Sequence, residues 1–179
     1  MLYAFDGRKP QIAKGAYISD HAIVIGDVRI GAHCYVGPGA ILRGDYGRIE
    51  IGSGTAVEEN VTVHAPPSRV CHIGKKVTLG HGAIIHARSI GNWSVIGMGA
   101  VLSLKAEVGE KTIIAEGAVV KMNQKVPSGV VAAGNPAKVI RRVTPKDEER
   151  WKRGKQIYID LAKKCLKIGM QPIGGAPRA

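Results

Sequence analysis

Branched aliphatic residues recur at every sixth position along most of this chain. The series begins at Ile12 and ends at Val120, and its register is reset after Leu42, Val63 and Ile85. Neither the period of about 3.6 residues of an α-helix nor the two-residue period of a flat strand gives this spacing. A period of six is typical of a β-helix, in which each hexad supplies one short strand and one turn. The repeat positions are Ile12, Ile18, Val24, Ile30, Val36, Leu42, Ile51, Val57, Val63, Ile73, Leu79, Ile85, Ile90, Ile96, Leu102, Val108, Ile114 and Val120.

Three hexads close one triangular coil, so the aliphatic residues point inward and stack in columns. Such a narrow interior has little room for rings, and aromatic residues make up only 4% of the chain. The 24 glycines supply turn conformations that other residues disfavour. We therefore predict an all-β solenoid, a parallel β-helix of about six coils, over residues 1–143. An ordinary α/β domain would require every repeat position to be aliphatic by coincidence.

A helix is predicted after the repeat. Thr144 is a suitable N-cap, Pro145 suits the first helical position, and acidic residues follow near the positive end of the helix dipole. We expect this C-terminal helix to span residues 144–167 and to pack on the β-helix. Residues 168–179 contain three Gly and two Pro and are expected to form a flexible tail. The candidate apolar face of the helix consists of Trp151, Ile157, Tyr158, Leu161 and Leu166.

Composition narrows the functional classes. No apolar run is long enough to span a membrane, and the N-terminus lacks the apolar core of a signal peptide. The three cysteines fit neither a disulfide framework nor a cysteine zinc motif, so we expect a cytoplasmic protein. The net charge is +12, and most of it lies in residues 138–167. Because no nucleic-acid motif or interleaved aromatic residue accompanies these charges, a solvated surface is favoured over nucleic-acid binding.

Two of the six histidines occupy equivalent positions in the repeat. His64 and His86 each follow an inward aliphatic residue on the same face, one coil apart, so both point outward. Neighbouring strands lie about 4.8 Å apart, and two imidazoles at that spacing can bind one metal ion. Arg43 and Ser103 continue this outward column. A column of this composition has no role in core packing, which favours a metal site.

His81 lies two residues after Leu79, at a turn on another face. Within one subunit it is not expected to reach the other two histidines. A neighbouring copy in a threefold arrangement can present it and so complete a three-histidine site between subunits. Three protein ligands and one open position are typical of a catalytic metal. His21 and His33 are interpreted as polar turn residues.

Several segments carry a resemblance to a known family. They are Tyr3–Gly7, Leu42–Asp45, Asn60–His64, Gly80–His86 and Gly134–Val139. Together they resemble the γ-class carbonic anhydrases and their bacterial and archaeal relatives. Those relatives include proteins labelled ferripyochelin-binding protein and proteins of phenylacetate and carnitine operons. The resemblance covers roughly residues 1–167, and its specific part is the histidine spacing together with the Arg-Gly-Asp segment.

The resemblance implies a left-handed β-helix and a homotrimer with three metal sites between subunits. Its metal ligands would be His64 and His86 of one subunit and His81 of the next. The implied reaction is the reversible hydration of CO2 to bicarbonate, with a metal that lowers the pKa of water. Zinc is the expected metal, although iron(II) and cobalt also suit three imidazoles. The implied partners are other copies of the chain and a small-molecule substrate, with no nucleic acid or membrane.

Five further residues match family positions or depart from them. Arg43 and Asp45 match an interfacial ion pair beside the metal, and Tyr158 matches a tyrosine on the terminal helix. Glu58 and Glu59 stand where the family often has Gln and Asp. Either carboxylate can orient the attacking water or accept its proton, while the added negative charge can also raise the pKa of that water.

Other features leave the activity open. The short segment 65–72 replaces a long acidic loop that carries the proton-shuttle residue of the archetypal enzyme. Fast hydration needs a route for proton export, so slow turnover is one expectation. A second hypothesis is a hexapeptide-repeat acyltransferase or acyl-CoA thioesterase, because such acyltransferases share the segment Gly134–Ala137. A third is a metal-binding trimeric scaffold without catalytic activity.

Overall fold

The chain folds into a parallel β-helix with one C-terminal helix, as the hexad pattern predicts. A computed structural model describes residues 1–170. Successive short strands lie on three faces in rotation, and each strand pairs in parallel with the strand one coil away. The long strands β4 (Ile23–Ile30) and β6 (Ile41–Ile51) bend around the edge between two faces and join them.

The remaining strands are short and are distributed over these faces. Face 1 holds the first parts of β4 and β6 with β1 (Leu2–Tyr3), β8 (Thr62–His64), β11 (Ile84–Ile85), β14 (Val101–Leu102) and β17 (Val119–Val120). Face 2 holds the second parts of β4 and β6 with β2 (Gln11–Ile12), β9 (Val70–Ile73), β12 (Ser89–Ile90), β15 (Glu107–Val108) and β18 (Lys125–Val126). Face 3 holds β3 (Tyr17–Ile18), β5 (Tyr35–Val36), β7 (Ala56–Val57), β10 (Thr78–Leu79), β13 (Val95–Ile96), β16 (Ile113–Ile114), β19 (Val130–Ala133) and β20 (Lys138–Arg142), the last antiparallel to β19.

The predicted repeat positions form the core. All of them are buried except Ile12 and Ile18, which are partly buried at the N-terminal end and still pack on the core. Strand register places each aliphatic residue directly over its counterpart, as in the series Val63, Ile85 and Leu102. The β-helix interior is therefore a continuous aliphatic stack.

The number of coils is larger than predicted. The structure has about seven turns rather than about six. The six-residue spacing continues beyond Val120, because Val126 and Ala132 are also buried and lie in register with Val108 and Ile114. Ala132 is not one of the large aliphatic residues, so the sequence pattern hides this last inward position.

The residues that precede each inward position form outward columns, and the three faces differ sharply in their chemistry. Face 2 is polar, whereas face 3 and face 1 are mostly apolar. On face 2 the column is Gln11, Arg29, Glu50, His72, Ser89, Glu107 and Lys125. On face 3 it is Tyr17, Tyr35, Ala56, Thr78, Val95, Ile113 and Val131. On face 1 it is Ile23, Ile41, Thr62, Ile84, Val101 and Val119, here called the apolar column.

The helix α1 (Pro145–Ile168) covers part of face 3. Its N-terminus has the predicted cap: Thr144 accepts a hydrogen bond from the Asp147 amide, and the Asp147 side chain accepts one from the Thr144 amide. The buried helix residues are Lys155, Ala162 and Cys165.

The apolar face predicted for the helix is partly wrong. Ile157 is 65% exposed and Leu166 is also exposed, because they project away from face 3. Tyr158 and Leu161 do pack against it. The helix extends to Ile168, and most of the tail predicted for residues 168–179 lies outside the described residues. Within residues 1–170, no helix combines the length and apolar character needed to cross a membrane.

Truncation in the stack should be costly. We expect Ile96→Ala to lower the free energy of unfolding by about 2–5 kcal/mol, because Ile96 is completely buried and the rigid coils above and below cannot collapse into the space. The matched control Ile140→Ala, on the exposed strand β20, should cost no more than about 0.5 kcal/mol. Urea unfolding followed by circular dichroism measures both, and equal losses would contradict the stack as the main source of stability.

Candidate functional site

The Arg-Gly-Asp segment lies on β6 where the strand leaves face 1. A Cβ atom on Gly44 would lie 2.6 Å from the carbonyl oxygen of Asp27 on the coil below, so only glycine fits this close approach. The residues on either side of Gly44 point the same way, and Arg43 Nη1 donates to Asp45 Oδ2 at 2.6 Å. The strand geometry thus pairs Arg43 with Asp45 within one chain, and the interfacial role implied by the resemblance stays a prediction.

The two histidines of the outward column meet beside this ion pair. Arg43 and His64 are register partners on β6 and β8, and His86 follows β11 one coil further on. His64 Nδ1 lies 3.1 Å from His86 Nε2, and the ring centroids are 4.9 Å apart. His64 Nε2 lies 3.2 Å from Asp45 Oδ1. The predicted juxtaposition of His64 and His86 is therefore present, and we call these two residues the histidine pair.

The surroundings of His86 and Asp45 shift the pKa values of both groups downward. Partial burial, together with nearby His64 and Arg43, lowers the pKa of His86 and favours its neutral imidazole. Burial opposes ionisation of Asp45, but the hydrogen bond from Arg43 and backbone amides outweigh it, so the pKa of Asp45 is lowered. His64 thus lies between the imidazole of His86, whose neutral form is favoured, and the carboxylate of Asp45, whose ionised form is favoured.

His81 lies apart from the histidine pair. It occupies the turn between β10 and β11, where its Nε2 is 3.1 Å from Glu58 Oε2 and its Nδ1 is 2.7 Å from Glu59 Oε2. Across the described part of one chain, no three His, Cys, Asp or Glu side chains are grouped to hold a metal ion. A three-histidine site remains a prediction that needs a second copy of the chain.

Glu58 and Glu59 belong to a network that extends under the helix. Tyr35 donates its hydroxyl to Glu59 Oε1 at 2.7 Å, and Tyr158 is hydrogen-bonded to Glu58. Burial raises the pKa of Glu58 despite the opposing influence of His81 and Tyr158. Burial and the adjacent carboxylates also raise the pKa values of both tyrosines. Tyr158 and the two carboxylates, predicted as site residues, are thus brought together around His81.

Tyr35 is a site residue that the sequence analysis missed. The available signal was its position, since Tyr17 and Tyr35 each precede an inward aliphatic residue and lie one coil apart. The structure stacks these rings with centroids 5.7 Å apart, and the centroid of the Tyr158 ring lies 5.4 Å from that of Tyr35. His21 and His33 lie exposed in turns, where they were expected.

Comparisons with known proteins identify the relationship. The family model described as bacterial transferase hexapeptide (six repeats) matches residues 9–44. The mitochondrial γ-carbonic anhydrase 2 of Arabidopsis thaliana is 36% identical over 168 residues, which are 90% of this chain and 60% of that protein. The chain thus spans less than two thirds of that plant relative. The carnitine operon protein CaiE of Escherichia coli K12 is 36% identical over 164 residues, covering 91% of this chain and 83% of CaiE.

Two solved structures agree in fold. A hexapeptide transferase family protein from Anaplasma phagocytophilum has a TM-score of 0.86 and 34% identity, covering 91% of this chain and 96% of that one. A putative acetyltransferase from Bacillus cereus has a TM-score of 0.89 and 30% identity, covering 93% and 97%. Because identity exceeds 30% over 91% of this chain and 83% of CaiE, the chain belongs to the hexapeptide-repeat family that includes the γ-carbonic anhydrases and CaiE.

Proposed function

We propose that the protein is a γ-carbonic anhydrase-type metalloenzyme that catalyses the reversible hydration of CO2 to bicarbonate. The observation that supports this proposal most directly is the histidine pair, with its ring nitrogens 3.1 Å apart beside an ionised carboxylate. The family relationship to γ-carbonic anhydrases supports the same reaction.

The donor set fits a divalent metal ion. Ligand nitrogens of tetrahedral zinc, each about 2.0–2.1 Å from the metal, lie about 3.4 Å apart, close to the spacing of the histidine pair. Asp45 contacts the far nitrogen of His64, and a carboxylate in that position orients a ligand imidazole. His64, His86 and a His81 from a neighbouring copy would hold the metal, with zinc favoured and iron(II) or cobalt(II) also suited. When bound, the metal supplies the Lewis acidity that lets water react near neutral pH.

A second copy of the chain is the proposed source of the third histidine. The apolar column runs along face 1, and its member Ile84 is 49% exposed in the single chain. This column lies next to the histidine pair, since Ile84 is two residues before His86. Burying it against another copy would remove apolar surface from water and place that copy's residues beside His64 and His86. We therefore propose a homotrimer with sites at its interfaces.

Residues near His81 have proposed roles in orientation and proton transfer. Glu59 Oε2 holds the Nδ1 side of the His81 ring, and Tyr35 fixes Glu59 by donating to its other oxygen. Glu58 Oε2 can take up a proton, because burial favours its protonated form, and Tyr158 holds this carboxylate in place. Arg43 acts through Asp45, which orients His64. Buried, unpaired Cys34, Cys71 and Cys165 support a reducing compartment, and we propose the cytoplasm.

A second candidate function has an observation of its own. A cleft of about 510 Å³ lies beside His86 and is lined by Arg69, Arg88, Lys105 and Lys125. Glu107 pairs with two of these cations, Arg88 and Lys125, so an excess of positive charge remains. Such a cleft is larger than CO2 requires and suits a phosphorylated acyl thioester, which favours an acyl-CoA thioesterase or acyltransferase. The Bacillus cereus relative described as a putative acetyltransferase points the same way.

Metal loading and activity together test the proposal. We expect the purified protein to bind about one metal ion per chain and, when loaded with zinc or iron(II), to accelerate CO2 hydration in a stopped-flow pH-indicator assay. His64→Ala should lose both metal and activity while keeping its circular dichroism spectrum, because the side chain points away from the core. The control His33→Ala should keep both. Unchanged metal content in His64→Ala would contradict the ligand assignment, and acyl-CoA turnover by metal-free protein would favour the second candidate.

Mixed oligomers test whether His81 completes the site between subunits. His81→Ala and His64→Ala chains are unfolded together in equal amounts and refolded. At each interface, the chain that supplies His64 and His86 has both histidines with a probability of about one half. The chain that supplies His81 has it with the same probability, so about one site in four is intact. We expect metal binding to recover to about a quarter of the wild-type value, whereas neither variant alone binds metal. Co-refolded chains that bind no more metal than the single variants would show that His81 is not an interfacial ligand.

A charge in the apolar column should disrupt the assembly. We expect Ile84→Glu to shift the protein from trimer to monomer in sedimentation velocity, because an unpaired carboxylate would be buried between copies. Ile157→Glu is the matched control, since Ile157 is exposed on the helix away from face 3. A trimer that persists in Ile84→Glu, or dissociates equally in both variants, would place the interface elsewhere.

A further inference from the structure

A cleft of about 420 Å³ lies between the first turns of α1 and face 3. Its walls include the apolar side chains of Trp93, Trp151, Val95 and Ile113. The charged residues that line it are Lys111, Asp147, Glu148, Glu149, Lys152 and Lys155. None of the proposed metal ligands lines this cleft. A concave site of this size that combines apolar walls with a few polar groups has the general features of a small-molecule site.

Lys155 is the one buried charged residue among those that line the cleft, and its environment is unusual for a lysine. The residue is only 3% exposed, and its Nζ donates to Thr78 Oγ1 and to the Ser94 carbonyl oxygen, each at 3.1 Å. Among the residues that the structure describes, no carboxylate lies within 4.0 Å of this nitrogen. An ammonium would therefore bury its charge without an ionised partner, and the remaining neighbour of Nζ is the Trp151 ring, whose centroid lies 5.9 Å away.

The neutral amine fits this environment better. Its two N–H groups match the two acceptors, and its lone pair remains free. Burial lowers the pKa of Lys155 to about 7, while the more distant Glu58 acts in the opposite direction. At pH 7 about half of such amines are neutral, whereas an exposed lysine with a pKa of about 10.4 is neutral in fewer than about one molecule in a thousand. Desolvated lysines of this kind are strong nucleophiles towards carbonyl groups.

We propose that Lys155 is a carbonyl-reactive site that binds small aldehydes with an aromatic or aliphatic body in this cleft. The Nζ lone pair attacks the aldehyde carbon and forms a C–N bond, and a proton moves from nitrogen to the former carbonyl oxygen to give a carbinolamine. Loss of water from the carbinolamine gives an imine, with no oxidation or reduction. The tryptophan walls provide contact for the body of the aldehyde. This site is independent of the proposed CO2 reaction.

Reductive trapping tests the proposal within one molecule. The full-length protein is incubated at pH 7 with benzaldehyde, and sodium borohydride then reduces any imine to a stable secondary amine. Peptide mass mapping measures the benzyl adduct at each lysine. Lys152, exposed one turn earlier on the same helix and lining the same cleft, is the internal reference. We expect labelling at Lys155 to exceed that at Lys152 by at least about tenfold, and to saturate just above pH 7.

Two variants separate reactivity from a structural role. Lys155→Met should abolish the preferred adduct while keeping much of the buried volume, and Lys152→Met should leave the adduct at Lys155 unchanged. Circular dichroism checks that the helix is retained. If Lys155→Met does not fold, the comparison of lysines within the wild-type protein still decides the question. Labelling of Lys155 that is no faster than that of Lys152, or absent, would overturn the proposal.

Discussion

Stacking of aliphatic side chains along the interior is the interaction on which the rest of this structure depends. Each coil places one branched residue per face about 4.8 Å above the last, so the interior is filled by repetition rather than by interlocking large side chains. Small aliphatic residues suffice because the cross-section is narrow, which accounts for a fully buried core in a chain with one Phe. The same spacing fixes the outward side chains, which alternate with the inward ones along every strand.

The histidine pair follows from this spacing. His64 and His86 are far apart in sequence, yet the coil period places them one rung apart, and the rings then need only tilt to bring two nitrogens to 3.1 Å. The bend of β6 around its corner supplies the neighbouring carboxylate, because Gly44 permits the tight approach that positions Arg43 and Asp45 together. The register of the core strands thus determines the positions of the site residues.

This dependence of the site on strand register explains which features of the fold and the site could be predicted from the sequence. The inward positions and the contact of His64 with His86 depend on counting residues along a regular repeat. The pairing of Arg43 with Asp45 was instead expected from the family resemblance. Val126 continues the six-residue spacing with a branched aliphatic residue, so part of the seventh turn was visible in the sequence. Only Ala132 fills an inward position that larger aliphatic residues fill elsewhere. The burial of Lys155 and the exposure of Ile157 depend on how α1 rotates on face 3, which helix periodicity does not determine. The hydrogen bond from Tyr35 to Glu59 could not be predicted either, because it depends on which turn lies beneath the helix.

The chemistry of the three faces constrains how copies of the chain can associate. Face 2 presents a ladder of charged residues, in which Arg48 pairs with Asp27 and Glu50, and these groups would lose hydration in an interface. Face 3 is apolar, but α1 covers part of it within the same chain. Face 1 alone has an apolar column with no covering element from the described residues of its own chain. Because the histidine pair lies beside that column, an interface formed there would bury the apolar column and enclose the proposed metal site in a single step.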